Sequence, residues 1–339
     1  MKAIVLGSGA WGTALALLLL RAGHQVSLWT QSEEKALQMA RSRQNPKLTG
    51  VLLPEGLHIT ADDRAAREAE LVVFAVPSIA VRETAVRFAP RLRQDALLVS
   101  AAKGIERGTH LRMSQLIQEA CGGPERIAAL SGPSHAEEVA RGMPTGCVAA
   151  SPERHCAQAV QNAFMTPDFR VYTNPDLTGV ELCAALKNVV ALGCGIADGL
   201  GFGDNAKALV ITRAMAEAAS LCLAAGGLRE TCAGLAGMGD LIVTCTSVHS
   251  RNRRAGLLLG QGKGVQEALR EVGAVVEGYY AAESVWELSR SLGARLPISE
   301  AIYGVLYREV PPAEAIRGLM LREKKTEFAG LRWENDEED

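Results

Sequence analysis

Ala3-Ile4-Val5-Leu6-Gly7-Ser8-Gly9-Ala10-Trp11-Gly12 reads as a short apolar strand, a glycine loop and the start of a helix, and this stretch decides the fold. In such a loop the first glycine permits a tight turn, the second lets backbone approach a pyrophosphate, and the third lets helix and strand pack closely. Gly7, Gly9 and Gly12 hold those three positions. A helix starting near Ala10 then turns its free N–H groups and positive end toward the phosphates. A lone G-x-G-x-x-G is a weak signal, and a structural glycine turn is the plain alternative. Here the loop follows an apolar strand, and a second strand comes after Gly23-His24, which is the context a dinucleotide site requires.

Outward from the loop, Gln25–Trp29, Leu71–Val76, Leu97–Ala101 and Ile127–Leu130 are further apolar or β-rich runs, each ended by Gly, Pro, Ser or a polar cluster. Continuous apolar strands separated by helices predict a parallel sheet covered on both faces. Gly146–Ala150 and Arg170–Tyr172 are candidates for further strands. From about Gly179 the β signal fades. Val180, Leu182, Leu186, Val189 and Val190 recur at helical spacing, and Ala206–Ala225 is a long Ala/Leu-rich stretch. Pro297 and Pro311 stand where first helical turns tolerate them. The expected fold class is α/β: an N-terminal Rossmann-type doubly wound parallel sheet over residues 1–178, followed by an all-helical substrate domain over 179–330. Residues 331–339 contain the acidic run Glu334-Asn335-Asp336-Glu337-Glu338-Asp339 and read as a solvated tail.

Length and composition agree with this reading. The 339 residues suffice for about two domains. A formal net charge of −2 gives no electrostatic footprint for nucleic acid, which needs a basic field to release counterions. The eight cysteines, Cys121, Cys147, Cys156, Cys183, Cys194, Cys222, Cys232 and Cys245, include no C-x-x-C pair. They read as reduced core thiols, with neither disulfide nor metal site expected. The uncharged run Ala3–Leu20 is broken by three glycines and is too short in its apolar helical part to cross a membrane. No other segment comes closer, so no membrane span is expected and a cytoplasmic location is the default.

The end of the second strand usually separates NAD from NADP, because a carboxylate there binds the ribose 2′-OH and repels a 2′-phosphate. This chain reads Trp29-Thr30-Gln31-Ser32, with no carboxylate until Glu33. Gln31 can bond either group, so NADP is permitted and NAD is not excluded. Arg41 and Arg43 follow and could supply charge, but a solvated helix face is the better explanation for both.

The carboxyl ends of parallel strands line the ligand crevice. Ala101-Ala102-Lys103-Gly104 and Ser131-Gly132-Pro133-Ser134 fall there, which aims Lys103 at the site. Lys187 is more telling. On a helix its neighbours one turn away are Cys183, Ala184, Val190 and Ala191, with no carboxylate among them. A buried ammonium must be paired or lose proton affinity, and such a lysine can exchange a proton near neutral pH. A structural ion pair is the alternative. Farther on, Gly239-Asp240 offers a carboxylate to orient a lysine, and Ser250-Arg251-Asn252 carries donors suited to a phosphate. Arg253 and Arg254 read as solvated.

With these segments in place the chain resembles the bacterial NAD(P)-dependent glycerol-3-phosphate dehydrogenases. The shared stretches are Gly7–Gly12, Ala102-Lys103-Gly104, Ser131–Ser134, Ala185-Leu186-Lys187-Asn188, Ile196–Gly201, Gly237-Met238-Gly239-Asp240, Ser250–Arg254 and Val275-Val276-Glu277-Gly278. They stand in family order over nearly the whole chain. The resemblance implies that Lys187 is the proton donor and acceptor at the substrate's C2 oxygen. It implies that Lys103, Gly132, Ser134, Asp240, Ser250, Arg251 and Asn252 hold glycerol 3-phosphate or dihydroxyacetone phosphate, alongside Lys187. It also implies that Trp11, Gln31, Lys103, Ala136, Arg251, Val275 and Glu277 contact NADP or NAD, beside Gly7, Gly9 and Gly12. The product would feed phospholipid synthesis, and a homodimer is left open. Three positions depart from the family pattern. Ala10 removes a frequent serine donor, Gln31 replaces a frequent basic residue, and His135 stands at a position usually aromatic, where it is expected to pack beside the site. The competing readings are a β-hydroxyacid or sugar-nucleotide dehydrogenase sharing the glycine loop, and a non-catalytic nucleotide-sensing module. A sugar-nucleotide dehydrogenase needs a nucleophilic cysteine, and no cysteine here has evident activating neighbours; the sensing module would not need the lysine, aspartate and arginine together.

Overall fold

The computed structural model describes residues 1–324 together with Thr326 and Glu327; the acidic tail at 331–339 lies outside the described residues. Eight strands form one sheet: β1 (Lys2–Leu6), β2 (Gln25–Trp29), β3 (His58–Thr60), β4 (Leu71–Phe74), β5 (Leu97–Ser100), β6 (Ile127–Ser131), β7 (Thr145–Ala150) and β8 (Phe169–Asn174). Their order is β3-β2-β1-β4-β5-β6-β7-β8. The chain runs outward from β1 to one edge, returns through β4 on the other side, and so opens a ligand crevice at the carboxyl ends of β1 and β4. Helices α1 (Ala10–Arg21), α2 (Glu33–Ser42), α3 (Val81–Phe88), α4 (Met113–Cys121), α5 (Ala136–Ala140) and α6 (Arg154–Phe164) accompany the sheet. Two apolar layers result. Val5, Leu15, Leu18, Val73 and Val99 belong to one, and Ile4, Leu6, Phe74, Phe88 and Leu98 to the other. Adjacent strand residues alternate between the two faces, as a two-sided parallel sheet requires.

The parallel expectation holds from β3 to β6 and fails at one junction. β7 pairs antiparallel with β6, and β8 runs parallel to β7. The segment between β6 and β7 is spent at the carboxyl end of the sheet, on the Ser131–Ser134 turn and on α5, which packs on α1. The chain therefore re-enters from that end instead of crossing back. The short edge strand β3, paired with β2, carried too few apolar residues to be read in advance.

The second half is helical: α7 (Leu177–Gly199), α8 (Asp204–Ala224), α9 (Arg229–Ala233), α10 (Asp240–Thr246), α11 (Arg251–Gly260), α12 (Val265–Val272), α13 (Glu277–Ser291), α14 (Pro297–Tyr307) and α15 (Pro312–Met320). Pro297 opens α14 as expected, whereas Pro311 is the N-cap of α15 and Pro312 its first residue. Asp176 caps α7 by accepting from Gly179 N at 2.7 Å. Helix α7 corrects one expectation, being more apolar and longer than any segment near the N-terminus. By length and hydropathy it could cross a membrane, but 89% of its most apolar window is buried inside the fold. It is the axis of the helical core, packed by α8, α10, α11, α13 and α14.

Helix α11 crosses α7 without intervening side chains. A Cβ on Gly195 would stand 2.0 Å from the Arg253 carbonyl oxygen, and one on Gly256 2.0 Å from that of Leu192. Gly199 and Gly260 repeat the arrangement one turn on, with 2.3 Å approaches to Leu257 O and Ile196 O. Glycine at every fourth position on both helices lets backbone meet backbone.

Candidate active site

The nucleotide end is built by the glycine loop. Gly7 has φ +118°, and a Cβ there would lie 2.7 Å from the Ala75 carbonyl oxygen beyond β4. A Cβ on Gly12 would fall 1.9 Å from Gly7 O, so α1 can sit against the loop only with glycine at that position. Gly9, by contrast, faces open space. Gly9 is also the N-cap of α1, with no side chain capping the helix and no acidic residue in its first turn. An open, uncapped, positive helix end above a tight glycine turn fits a pyrophosphate. Trp11 Nε1 donates to Ala101 O at 3.2 Å, tying this loop to the strand end that carries Lys103. Ala136 is the buried first residue of α5.

The reacting end centres on Asp240. A π-helical turn, Leu235–Gly239, delivers it to the start of α10. Gly237 is required in that turn, because a Cβ there would meet Cys232 O at 2.0 Å. Lys187 Nζ, from the middle of α7, donates to Asp240 Oδ1 at 2.8 Å and to Thr244 Oγ1 at 2.8 Å. Lys103 Nζ donates to Asp240 Oδ2 at 2.5 Å and to Gly132 O at 3.1 Å. Asp240 is 1% exposed and Lys187 9%, so the pair is shielded from bulk water. Burial lowers Lys187 to about 8, with Lys103 assisting against the pull of Asp240. Burial alone would push the Asp240 carboxyl up, yet Lys103 and Lys187 together hold it below the ordinary carboxylate range. Two ammonium groups share one carboxylate. The site therefore carries a surplus positive charge and a lysine able to release its proton near neutrality.

Gly132 has φ +151°, and a Cβ there would clash with the Cys147 backbone at 2.9 Å. Its carbonyl also accepts from Ser134 Oγ at 2.9 Å. His135 packs near Lys187. Burial, reinforced by that ammonium, holds its imidazole below the ordinary histidine range. Its Nε2 is buried without a hydrogen-bond partner.

The Ser-Arg-Asn cluster is divided by the structure. Ser250 caps α11, its Oγ accepting from Arg253 N at 3.2 Å. Asn252 is buried, donating to Asn188 Oδ1 at 2.9 Å and accepting from Gly278 N at 2.9 Å, so it fastens α11 to α7 and α13. Arg251 is exposed, with no ion pair among the described residues. Arg253 corrects an expectation: it is not solvated but bonds Asp198 through Nε and Nη2, both at 2.7 Å. Glu277 accepts from the Ser78 backbone N–H at 3.2 Å and from Ser78 Oγ, bridging the helical half to the turn after β4. Burial raises the Glu277 carboxyl despite those bonds and the nearby Arg251. Val275 lies just ahead of it, half-buried. Gln31 is exposed beyond β2.

Some participants carried no role in the sequence reading. Thr244 completes the Lys187 cage, and its position four residues after Asp240 on one helical face was the available signal. Ser78 follows β4 at the carboxyl edge, where the strand-end rule points. Asn188 is visible only through its partner on α11. The cysteines are all free, but Cys183, Cys222 and Cys232 bring their sulfurs together, Cys183 lying 3.8 Å from Cys222 and 3.5 Å from Cys232. No spacing in the chain announces that cluster.

The glycine cradle is joined through Trp11 to the strand end whose Lys103 reaches the lysine cage, and the one is suited to a hydride carrier and the other to a proton. That pairing defines a dinucleotide-dependent dehydrogenase with a separate helical substrate unit. Comparison with known proteins narrows the class. Residues 2–157 match the model for the NAD-dependent glycerol-3-phosphate dehydrogenase N-terminus, and residues 176–317 that for the C-terminus. A relative from Pelotomaculum thermopropionicum, called glycerol-3-phosphate dehydrogenase [NAD(P)+], is 50% identical over 96% of this chain and 95% of its own. One of the same name from Thermoanaerobacter is 48% identical over 98% and 100%. The crystal structure of glycerol-3-phosphate dehydrogenase from Coxiella burnetii superposes with a TM-score of 0.90 at 35% identity, covering 95% of this chain and 99% of that one. The chain belongs to the NAD-dependent glycerol-3-phosphate dehydrogenase family, and it is an NAD(P)-dependent oxidoreductase.

Proposed function

We propose that the chain reduces dihydroxyacetone phosphate to sn-glycerol 3-phosphate, and runs the reverse oxidation, with Lys187 as the proton donor and acceptor. The observation that carries this reading is the buried Lys187 held by Asp240 and Thr244, with its proton affinity lowered to about 8. When bound, the reduced nicotinamide supplies a hydride to C2 of the substrate. Lys187 gives a proton to the C2 oxygen as it becomes an alkoxide. Asp240 keeps the ammonium aimed, and Lys103 adds a second positive charge where negative charge develops. Both cations are held before the substrate arrives, so little reorganisation is needed at the moment of reaction.

At the far end, Arg251, exposed and without an ion pair among the described residues, offers its guanidinium to a phosphate. Asn252 acts there with one amide N–H still uncommitted, and Ser250 through the hydroxyl that also caps α11. Gly132 and Ser134 shape the wall between. Phosphate binding energy then orients C2 for transfer. Trp11, Gln31, Ala136, Val275 and Glu277 contribute to the cofactor side. The eight free thiols suit a reducing cytoplasm, and the product suits the backbone of phospholipids. The deciding experiment follows nicotinamide absorbance with dihydroxyacetone phosphate and each reduced cofactor. Turnover that needs the phosphate ester supports the reading, and absence of turnover with both cofactors overturns it.

A further inference from the structure

Lys35 stands in the first turn of α2, beyond the end of β2, where Ser32 caps the helix by accepting from Lys35 N at 3.2 Å. Its side chain reaches back, and the ammonium donates to the Ser8 carbonyl inside the glycine loop at 3.3 Å. The buried Asn45 donates to that same carbonyl at 3.1 Å and to Thr13 Oγ1 at 2.7 Å. Asn45 Oδ1 in turn accepts from the Lys47 backbone N–H at 3.0 Å, which holds the Lys47 backbone at the same corner. Neither lysine forms an ion pair among the described residues, in contrast to Lys2, Lys103, Lys187, Lys207 and Lys263. Burial holds the Lys35 ammonium below its ordinary value, and the approach of Lys47 lowers it further. Glu33 and Glu34 on the same turn are exposed, and neither forms an ion pair with Lys35.

Two lysines at one corner, neither paired with a carboxylate among the described residues, are an arrangement that an anion relieves. Their corner lies between the glycine loop and the β2–α2 turn, where folds of this kind hold the adenosine ribose. Arg43 is not available there, because its guanidinium donates to the carbonyls of Pro54 and Leu57 at 3.3 and 3.0 Å. Gln31 brings no charge. We propose that Lys35 and Lys47 form the binding site for the 2′-phosphate of NADP(H), and that this pair sets the cofactor preference of the enzyme. The assignment rests on the reading of the chain as an NAD(P)-dependent dehydrogenase and goes beyond it by naming the selective residues. A 2′-hydroxyl offers no charge for the pair, so NADH forgoes what NADPH gains.

Calorimetric titration of the full chain with NADPH, NADH, 2′-AMP and 5′-AMP tests the proposal without recourse to turnover. NADPH should bind more tightly than NADH, and 2′-AMP more tightly than 5′-AMP. Lys35→Met should lower NADPH affinity about 10- to 150-fold, the scale of a charge-assisted bond, and Lys47→Met about tenfold because its ammonium is more exposed. NADH affinity should fall several-fold less in each case, and Lys35→Arg should restore most of the NADPH preference. Added salt should weaken NADPH more than NADH in the wild type, and this difference should shrink in the double variant. Equal losses for the two dinucleotides would mean that Lys35 only braces the glycine loop, which overturns the proposal. So would a wild type that binds 2′-AMP no better than 5′-AMP. A wild type that binds neither dinucleotide overturns the cofactor reading itself, a result distinct from an unselective site.

Discussion

Asp240 and Lys187 form one buried ion pair, 2.8 Å from Oδ1 to Nζ, although 53 positions separate them in the chain. The free carboxylate oxygen is taken by Lys103, which comes from the opposite half of the molecule. The set of two ammonium groups on one carboxylate is therefore complete only when sheet and helices are docked.

The pH dependence of the two reaction directions should differ in sign. Reduction needs Lys187 protonated, so kcat for reduction should fall as pH rises through about 8. Oxidation needs it neutral, so kcat for oxidation should rise through the same range. Initial rates from pH 6 to 10 at saturating substrates check this, and parallel profiles in both directions would remove Lys187 from the proton path.

Lys187→Ala should lower kcat at least about 10²-fold while leaving dinucleotide affinity intact, since the glycine loop lies elsewhere. Asp240→Asn should also lower kcat and move the reduction profile to lower pH, because Lys187 then faces Lys103 without a counterion. It should destabilise the fold by about 3–5 kcal/mol, the usual cost of breaking a buried pair. Stopped-flow rates and denaturant melts separate the two effects.

Arg251→Ala should reduce kcat/KM for dihydroxyacetone phosphate about 10- to 150-fold. On dihydroxyacetone, which lacks the phosphate, the same change should cost much less. Equal losses on both would assign Arg251 to the cofactor or to the fold.

Asn252→Ala should cost about 1–3 kcal/mol of stability, because it leaves the buried Gly278 N–H and Asn188 Oδ1 without partners. Gly256→Ala should cost at least as much, since its Cβ would collide with Leu192 O. Urea denaturation of both variants checks the order.

Gln31→Asp should shift cofactor use toward NADH by repelling a 2′-phosphate. The ratio of kcat/KM for NADPH to that for NADH is the readout, and an unchanged ratio would show that Gln31 does not face the ribose.

Much of this organisation was legible in the residues, and for physical reasons. Strands buried on both faces must be continuously apolar, so β1, β2, β4, β5 and β6 announced themselves. Lys187 stood out because nothing near it on its own helix could neutralise it. What stayed hidden was non-local. The reversal of β7 depends on which end of the sheet the chain re-enters, and no period in the sequence encodes that. The Arg253–Asp198 pair joins residues from different helices, as does the meeting of Cys183, Cys222 and Cys232. The reach of Lys35 back to Ser8 depends on α2 folding over the loop, which turned attention toward Arg41 and Arg43 instead.

The glycine crossing of α7 and α11 acts as a ruler. Lys187 and Arg251 ride on these two helices, and where the helices touch there is no side chain to compress or swing aside. On the proposed roles, with Lys187 at the reacting carbon and Arg251 at the phosphate, the spacing of the two helices that carry them is written in main chain. On that reading, selection for a three-carbon skeleton draws on a rigid helix spacing more than on a pliable pocket. Enlarging neighbouring side chains would narrow the channel without resetting that scale. On the same reading, a change that slides one helix along the other alters the length of substrate accepted.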